Sequence, residues 1–481
     1  MAKPDTSHVL VLLQEHFSLN GKIKDLPGEE DYNYYFRSED NKEYTVKVSR
    51  PDTDIANLLF QGAVLKHLSK KSIGLKLPEI IHTKSGEGIV FLENKSFLRL
   101  QKWVPGKMLS EARYRSPELL QSWGATCGLF SKALEDFDHP TAHRFYKWNP
   151  SETLYSRTKF REFIKDEQQL EVADYFWNLF ETTALPHLPK LRKSVNYNDA
   201  HEHNLLITQK DFNTRVHGVI DFGDALYTET INELAIACAY AGMRIADPLE
   251  AMSQVVWGYH QMYPIREEEL EVLFPLIAAR LMITAASSAY NKVQEPENEY
   301  LLISEKPAWD LLNKLSEIPP NFAKFTFRKT CGLVPCKKED YFNYWIKSAK
   351  DSFAPIIDFQ NKKYTSLDLS VGSLSLGHNT NFDSNNAFTK TIKRILAEAD
   401  AAIGIGGYLE ARPVYTTDAY AEKGNYGRRW RTIHLGIDVW TKADTPVHAP
   451  LDGIVHSFQD NDQDRDYGPT IVLQHQINEQ F

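Results

Sequence analysis

Two short stretches hold residues whose types and spacing could do chemistry. Residues 196–206 read NYNDAHEHNLL and set Asp199 five residues before Asn204. Residues 218–227 read GVIDFGDALY, an apolar triplet that ends at Asp221, which opens an Asp-Phe-Gly and is followed by Asp224. Phosphoryl transfer needs a carboxylate near an acceptor hydroxyl, hard oxygen ligands for magnesium, a cation on the donor phosphates and a loop that covers them. Asp199 suits the first role, and Asn204 and Asp221 suit the second. Lys47, in 44-YTVKVS-49, would bring the cation from a strand, and 26-LPGEEDYN-33 would be the cover loop. Each feature alone reads as turn punctuation, because Asp and Asn favour turns. Their joint occurrence in this chain order predicts one site. Asp224 keeps two readings, a second metal ligand or the partner of a nearby base. Glu233, at the start of a helix, reads as a partner of the helix dipole.

These residues need elements to position them. The alternation of 34–48 about a polar turn predicts a β-hairpin that carries Lys47. A short amphipathic helix capped by Asp5 or Thr6 precedes it, and a helix over 53–68 capped by Thr53 follows. Segments 77–83, 89–93 and 97–104 read as strands, the last ended by Pro105-Gly106. Residues 1–104 thus form a β-rich lobe. Residues 105–347 turn to long helical periods, as in 117–137, 231–243 and 267–291, interrupted by the two stretches above. Residues 348–425, including the Ser, Asn and Gly tract 365–386, read as a linker or irregular entry. Residues 426–481 alternate between Gly and Pro turns and read as β-sheet.

The bulk numbers narrow the function. With 481 residues, more than one domain is expected. A net charge of −9 and a pI near 6.0 argue against nucleic acid and anionic membranes as partners. No run reads as long enough to span a membrane. The N-terminus lacks the basic and apolar regions of a signal peptide, so a reducing cytoplasm is the expected setting. Four cysteines give no disulfide framework, and the C-x4-C pair Cys331 and Cys336 reads as two thiols rather than a zinc site.

Residues 10–345 resemble the aminoglycoside phosphotransferase/choline kinase superfamily, nearest to its hydroxylysine-kinase-like branch. The residues that carry the resemblance are Gly28 to Tyr34, Lys47, Asp199 with Asn204, Asp221 to Asp224, and 100-LQKWVPG-106 at the hinge position. It implies an α+β, bilobal protein-kinase-like fold and an ATP- or GTP-dependent, magnesium-requiring kinase with a small-molecule hydroxyl acceptor. It places Asp199 at the acceptor. Gly28, Asp31, Asn33, Lys47 and the hinge residues Lys102 and Val104 are placed on the nucleotide, and Asn204 and Asp221 on magnesium. Asp224, Arg144 and Trp148 would face the acceptor, although 143-HRFYKWNP-150 reads equally as a surface turn. Two positions depart from the family pattern. Gln61 stands where a helix Glu pairs with the lysine, and Tyr197 stands where His is usual. A Gln can hydrogen-bond an ammonium but cannot neutralise it. A hydroxylated amine or amino acid is the leading acceptor. Choline, homoserine, a sugar or an aminoglycoside, or a nucleotide-binding regulatory lobe without activity, are the alternatives.

Residues 426–481 resemble the start of an M23 (lysostaphin-like) metallopeptidase domain, on 434-HLGID-438 and 445-TPVHAPLDGIVHSF-458. The resemblance makes His434 and Asp438 two zinc ligands and takes the third from a downstream H-x-H that this chain does not reach. A catalytic zinc needs three protein ligands plus water, so this incomplete site is expected to bind zinc weakly and to give no peptidase activity. The order of the parts resembles fusion proteins that continue into a class III aminotransferase, with this chain cut inside its second domain. Such a cut leaves unpaired sheet edges, so the last eighty residues are expected to be poorly ordered or completed by a neighbouring chain.

Overall fold

The computed structural model describes residues 3–28, 31–93, 95–208, 214–294, 303–376, 384–463 and 465–477. Glu29 and Glu30 of the expected cover loop, and 377–383 of the expected linker, lie outside the described residues. The chain divides into two compact units, Met1–Cys336 and Lys337–Phe481. The expected boundary at 347 falls instead inside the helix Glu339–Ala349 of the second unit.

The first unit opens with helix α1 (Thr6–Phe17), which has Asp5 at its N-cap. An antiparallel sheet follows. Strands β1 (Gly21–Leu26), β2 (Tyr32–Ser38) and β3 (Glu43–Val48) pair in sequence. Strand β6 (Phe97–Lys102) lies beside β3, with the two-residue strands β4 (Ile80–Ile81) and β5 (Val90–Phe91) on its other edge. The expected hairpin is β2–β3. Strand β1, half-exposed to exposed along its length, precedes the hairpin without an apolar alternation to announce it. Successive strand residues face opposite ways. Phe36, Val46, Val48, Leu98 and Leu100 therefore pack with Val9 and Leu13 of α1. The other face presents Asn33, Lys47 and Arg99, in register across β2, β3 and β6. Helix α2 (Ile55–Leu68) is capped by Asp54, not Thr53. The Asp54 carboxylate accepts from the Ala56 amide at 2.9 Å, which places the first helical residue one later than expected.

After the short strand β7 (Lys107–Met108), the unit is helical: α3 (Pro117–Leu134), α4 (Thr153–Phe160), α5 (Glu167–Leu179), α6 (Ile231–Gly242), α7 (Pro248–Met262), α8 (Glu267–Gln294), α9 (Glu305–Ser316) and α10 (Pro320–Thr330). Helices α3 and α7 meet backbone to backbone. A Cβ at Gly124 would lie 1.8 Å from the Val255 carbonyl oxygen, and one at Gly258 would lie 1.9 Å from that of Gln121. Only glycine permits such an approach. Helix α8 is long and apolar enough to cross a membrane by length and composition, contrary to the reading of the sequence, but 94% of its apolar window is buried in the fold. It is the core helix of this lobe. Strands β8 (Lys193–Asn196), β9 (Leu205–Thr208), β10 (Arg215–Val219) and β11 (Leu226–Glu229) form two pairs, β8 with β11 and β9 with β10. The loop 197–204 joins β8 to β9, and 220–225 joins β10 to β11. The pairing therefore brings both motif stretches to one end of the lobe.

The second unit contains more than a linker. Strand Tyr364–Leu367 runs parallel to Ile403–Gly406, with helix Asn385–Glu398 between them in sequence, and Val439–Trp440 adds antiparallel. Leu367, Leu369, Leu376 and Ile392 form its small core. The apolar periodicity there is too short to stand out from the Ser and Asn around it. Strands Gly453–Asn461 and Gly468–His475 pair with one another and with no other strand among the described residues.

Candidate active site

The loop 197–204 is a strained turn braced from two helices. Asn198, one residue before Asp199, has φ 66°, a left-handed conformation that Asn tolerates better than most residues. Its amide donates to Glu233 Oε2 at 2.9 Å, and Trp123 Nε1 donates to the Ala200 carbonyl at 3.0 Å. Glu233 sits in the first turn of α6, as the dipole reading had it, but its carboxylate serves the loop rather than its own helix. Burial pushes its carboxyl up to about 7. Tyr197 is fully buried against Phe130 and Phe222, and its hydroxyl donates to the Ile220 carbonyl at 2.7 Å. Burial holds that phenol well above its usual range. The departure at 197 thus ties one motif stretch to the other.

Asn204 Nδ2 donates to Asp199 Oδ2 at 2.6 Å, which turns the amide so that its Oδ1 is the atom left for a cation. The Ile220 amide donates to the Asn204 carbonyl at 3.0 Å and holds β9 beside the strand that ends at Asp221. Asp221 is also left-handed, φ 59°, and its Oδ1 accepts from the Gly223 amide at 3.1 Å. Its Oδ2 lies 3.1 Å from Lys47 Nζ, 174 residues away in sequence. That ammonium holds the carboxyl below its ordinary range, against the effect of burial. An amide oxygen and a carboxylate are the hard donors magnesium prefers when it also keeps waters, so this pair fits the expected metal.

Lys47 does not pair with Gln61. Gln61 Oε1 accepts from Arg99 Nη1 at 2.7 Å, while Arg99 Nη2 reaches Asp31 Oδ2 at 2.5 Å. The same Asp31 oxygen lies 3.7 Å from Lys47 Nζ. The neutral helix residue is therefore matched by an added cation from β6 and by an anion from the cover loop. Arg99 escaped the sequence reading, although an Arg inside the apolar strand 97-FLRLQ-101 is a signal, because a buried guanidinium requires partners. Gly28 closes the cover loop against its own backbone. A Cβ there would lie 2.4 Å from the Asp31 carbonyl oxygen and 2.3 Å from Asn33 Nδ2. Lys47, Gln61, Leu65, Gln101, Asp221 and Phe222 line a cleft between the lobes.

One further expectation needs correction, and the hinge narrows to one donor. The Lys102 amide donates to the Glu79 carbonyl at 2.8 Å and the Trp103 amide to Glu43 at 3.0 Å. Both amides are committed to the sheet, so the Val104 amide, which has no such partner among the described residues, is the hinge donor left for a base. Arg144 is a brace, not an acceptor ligand. It donates to Asn57 Oδ1 and to the carbonyls of Gly223 at 3.1 Å and Ala225 at 3.3 Å, so it fixes the segment that follows Asp221. Asp224 accepts from the Tyr146 hydroxyl at 2.5 Å. Trp148 lies over the guanidinium of Arg280, a residue of α8 that the sequence reading missed, and that guanidinium reaches within 3.5 Å of Asp199 Oδ1. His201 stands 3.4 Å from Asp199 Oδ2, and its imidazole is raised above its ordinary value by that carboxylate although burial opposes the shift.

In the second unit, His434 Nε2 and Asp438 Oδ2 are 3.4 Å apart. Asp438 is paired with Arg412, and the Tyr415 hydroxyl lies 2.6 Å from His434 Nδ1. Among the described residues no three His, Cys, Asp or Glu side chains gather as a metal group.

Comparison with known proteins agrees with this geometry. Residues 22–265, which are 244 of the 481, match the family described as phosphotransferase enzyme family. The match ends before the second unit begins. A hydroxylysine kinase of Xenopus laevis is 30% identical over 323 residues, covering 62% of this chain and 85% of that relative. A hydroxylysine kinase of Bos taurus is 26% identical over 345 residues, covering 66% of this chain and 91% of that relative. An amicoumacin kinase solved with AMP-PNP and Ca2+ shares the fold at a TM-score of 0.51 and 17% identity, covering 66% of this chain and 95% of that one. This chain belongs to the phosphotransferase enzyme family and is a small-molecule kinase.

Proposed function

We propose that the first unit transfers the terminal phosphoryl group of ATP or GTP to the hydroxyl of a small amino acid or amine of the hydroxylysine type. The convergence of Lys47, Asp221 and the Asp199–Asn204 loop from three separate segments carries this reading. Asp199 orients the acceptor hydroxyl and receives its hydrogen bond. Lys47 and the cover loop at Gly28, Asp31 and Asn33 hold the donor phosphates, and the Val104 amide is the hinge donor to the base. Asn204 Oδ1 and Asp221 would hold magnesium, which neutralises charge on the transferring group when bound. Asp224, held by Tyr146, is the anion that an acceptor ammonium would meet. The hydroxylysine kinases among its relatives support the choice of acceptor class. For the second unit the reading is negative. In the M23-like H-x-x-x-D pair Asp438 is held by Arg412 and His434 Nδ1 by Tyr415, and no peptidase step is assigned to it. The test is Asp199→Asn with 5-hydroxylysine and ATP. Turnover should fall by at least about 10²-fold while ATP still raises the unfolding temperature. Turnover that survives the substitution would remove Asp199 from the mechanism.

A further inference from the structure

Arg280 lies in the middle of α8, 3% exposed, on a helix otherwise built for the core. Its guanidinium lies between two rings, 5.2 Å from the centroid of Trp148 and 5.5 Å from that of Tyr240. Nη1 donates to the Trp148 carbonyl at 2.8 Å and Nη2 to the Tyr240 hydroxyl at 3.1 Å. Its Nε is buried without a partner. A buried cation with an unmet donor is costly to keep, and packing alone would be served better by an apolar side chain. The feature that sets this side chain apart is its far end, where Nη2 lies 3.5 Å from Asp199 Oδ1.

The catalytic carboxylate has two oxygens in different situations. Oδ2 receives the short bond from Asn204 at 2.6 Å and faces His201 at 3.4 Å. Oδ1 has only the longer approach of Arg280, which leaves it the capacity to accept from an acceptor hydroxyl. A planar, permanently charged guanidinium pinned by two rings and two hydrogen bonds is a rigid reference point. Without it, the χ2 rotation of Asp199 would be fixed on the Oδ2 side only, by Asn204 and His201.

We propose that Arg280 is a positioning residue for the transfer step. It fixes Oδ1 of Asp199 and couples that oxygen to Trp148, so that the acceptor wall and the hydroxyl-orienting carboxylate keep one geometry. This rests on the reading of Asp199 given above. A displacement of the carboxylate by about 1 Å is expected to cost up to about 10²-fold in rate, with no direct effect on the nucleotide.

Steady-state kinetics with 5-hydroxylysine and ATP, and ATP affinity measured separately, should compare the wild type with Arg280→Met, Arg280→Lys and Tyr240→Phe. Arg280→Met should lower kcat by about 30- to 100-fold, with KM for ATP and ATP affinity within twofold. Arg280→Lys should recover about a third or more of that loss on a logarithmic scale, because charge returns without the fork. Tyr240→Phe keeps the cation and removes one of its anchors, so kcat should fall severalfold with ATP affinity unchanged. If Arg280→Met fails to fold, Arg280→Lys and Tyr240→Phe decide. Wild-type kcat in both, or equal losses in kcat and ATP affinity, overturns the proposal. A rise in acceptor KM with kcat intact also overturns it, since Arg280 would then be a contact for the acceptor. Failure of the underlying reading looks different, because Asp199→Asn would then retain turnover whatever Arg280 does.

Discussion

The pairing of Asp31 with Arg99 can be tested by a double-mutant cycle, because it stands where the sequence offers only a neutral Gln61. The two atoms are 2.5 Å apart, with side chains 5% and 12% exposed. At that distance two unit charges attract by about 6–7 kcal/mol at an effective dielectric constant of ~20. Removing both ions from water takes back several kcal/mol, which leaves an expected coupling of about 2 kcal/mol. Arg99→Met should be the costlier single change. It removes the partner of Asp31 and also the donor to Gln61 Oε1 at 2.7 Å. Asp31→Asn should cost less, because Arg99 keeps Gln61. With both replaced, the loss should be smaller than the sum of the single losses by the coupling term. Urea unfolding of the four proteins at pH 7 measures this, read on the transition that added ATP shifts, since that transition belongs to the kinase unit. Losses that add within about 0.5 kcal/mol would mean that the cover loop is not latched to β6 in solution, and the account of how this chain manages without a helix Glu would be wrong.

Three further expectations follow from the same geometry. Tyr197→Phe deletes the donor to the buried Ile220 carbonyl and should destabilise the kinase unit by about 1–3 kcal/mol in urea unfolding; no loss would mean that the bond between the two motif loops is not made. The Glu233 carboxyl is raised by burial to about 7 from the model-compound value of 4.5, so in that window the folded state holds a proton the unfolded chain has released. Stability relative to Glu233→Gln should therefore fall as pH rises from about 4.5 to 7, by at most about 1.4 kcal/mol per pH unit, and a difference that is flat or rising across those pH values would reverse the assignment. The full chain should carry well under one equivalent of zinc by elemental analysis after dialysis, because Asp438 is held by Arg412; a stoichiometric zinc lost in His434→Ala would contradict the pairing.

The parts of the site that sequence made legible are those whose chemistry is local. Asp199 and Asn204 lie on one turn, and Asp221 follows a strand, so residue type and spacing announce them. Lys47 was found because a lysine interrupts an otherwise apolar alternation. The support was harder to see, for a physical reason. Arg99 and Asp31 are 68 residues apart and meet only because β2, β3 and β6 pair in one register. Nothing along the chain distinguishes Gln61 facing Lys47 from Gln61 facing Arg99, since the two cations are cross-strand neighbours. Hinge position alone does not say which backbone groups are already bonded across the sheet, as the Lys102 amide is. Arg144 looked like a ligand because exposed-looking Arg and aromatic residues in a loop suit binding as well as bracing. Arg280 carried its own signal, a charge inside an apolar helix, which is easily set aside when the helix is read for its core.

Strain explains why so much of this fold is devoted to so few atoms. Asn198 and Asp221 both hold left-handed backbones, each a cost of order 1–3 kcal/mol. Asn198 also buries both polar atoms of its side chain without partners. Neither turn would persist if the loops folded by themselves. Glu233 from α6, Trp123 from α3 and the Tyr197 hydroxyl each fix a point on these turns, and Arg144 holds the carbonyls just after Asp221. The helices that supply Glu233 and Trp123 are themselves fixed, α3 against α7 by the glycine contacts and α6 by its complete burial. Core packing thus reaches the candidate site through single hydrogen bonds rather than through bulk rigidity. A substitution in α3 or α6 that leaves the core intact but removes one of those bonds should relax a strained turn and lower kcat before it lowers stability by a comparable amount.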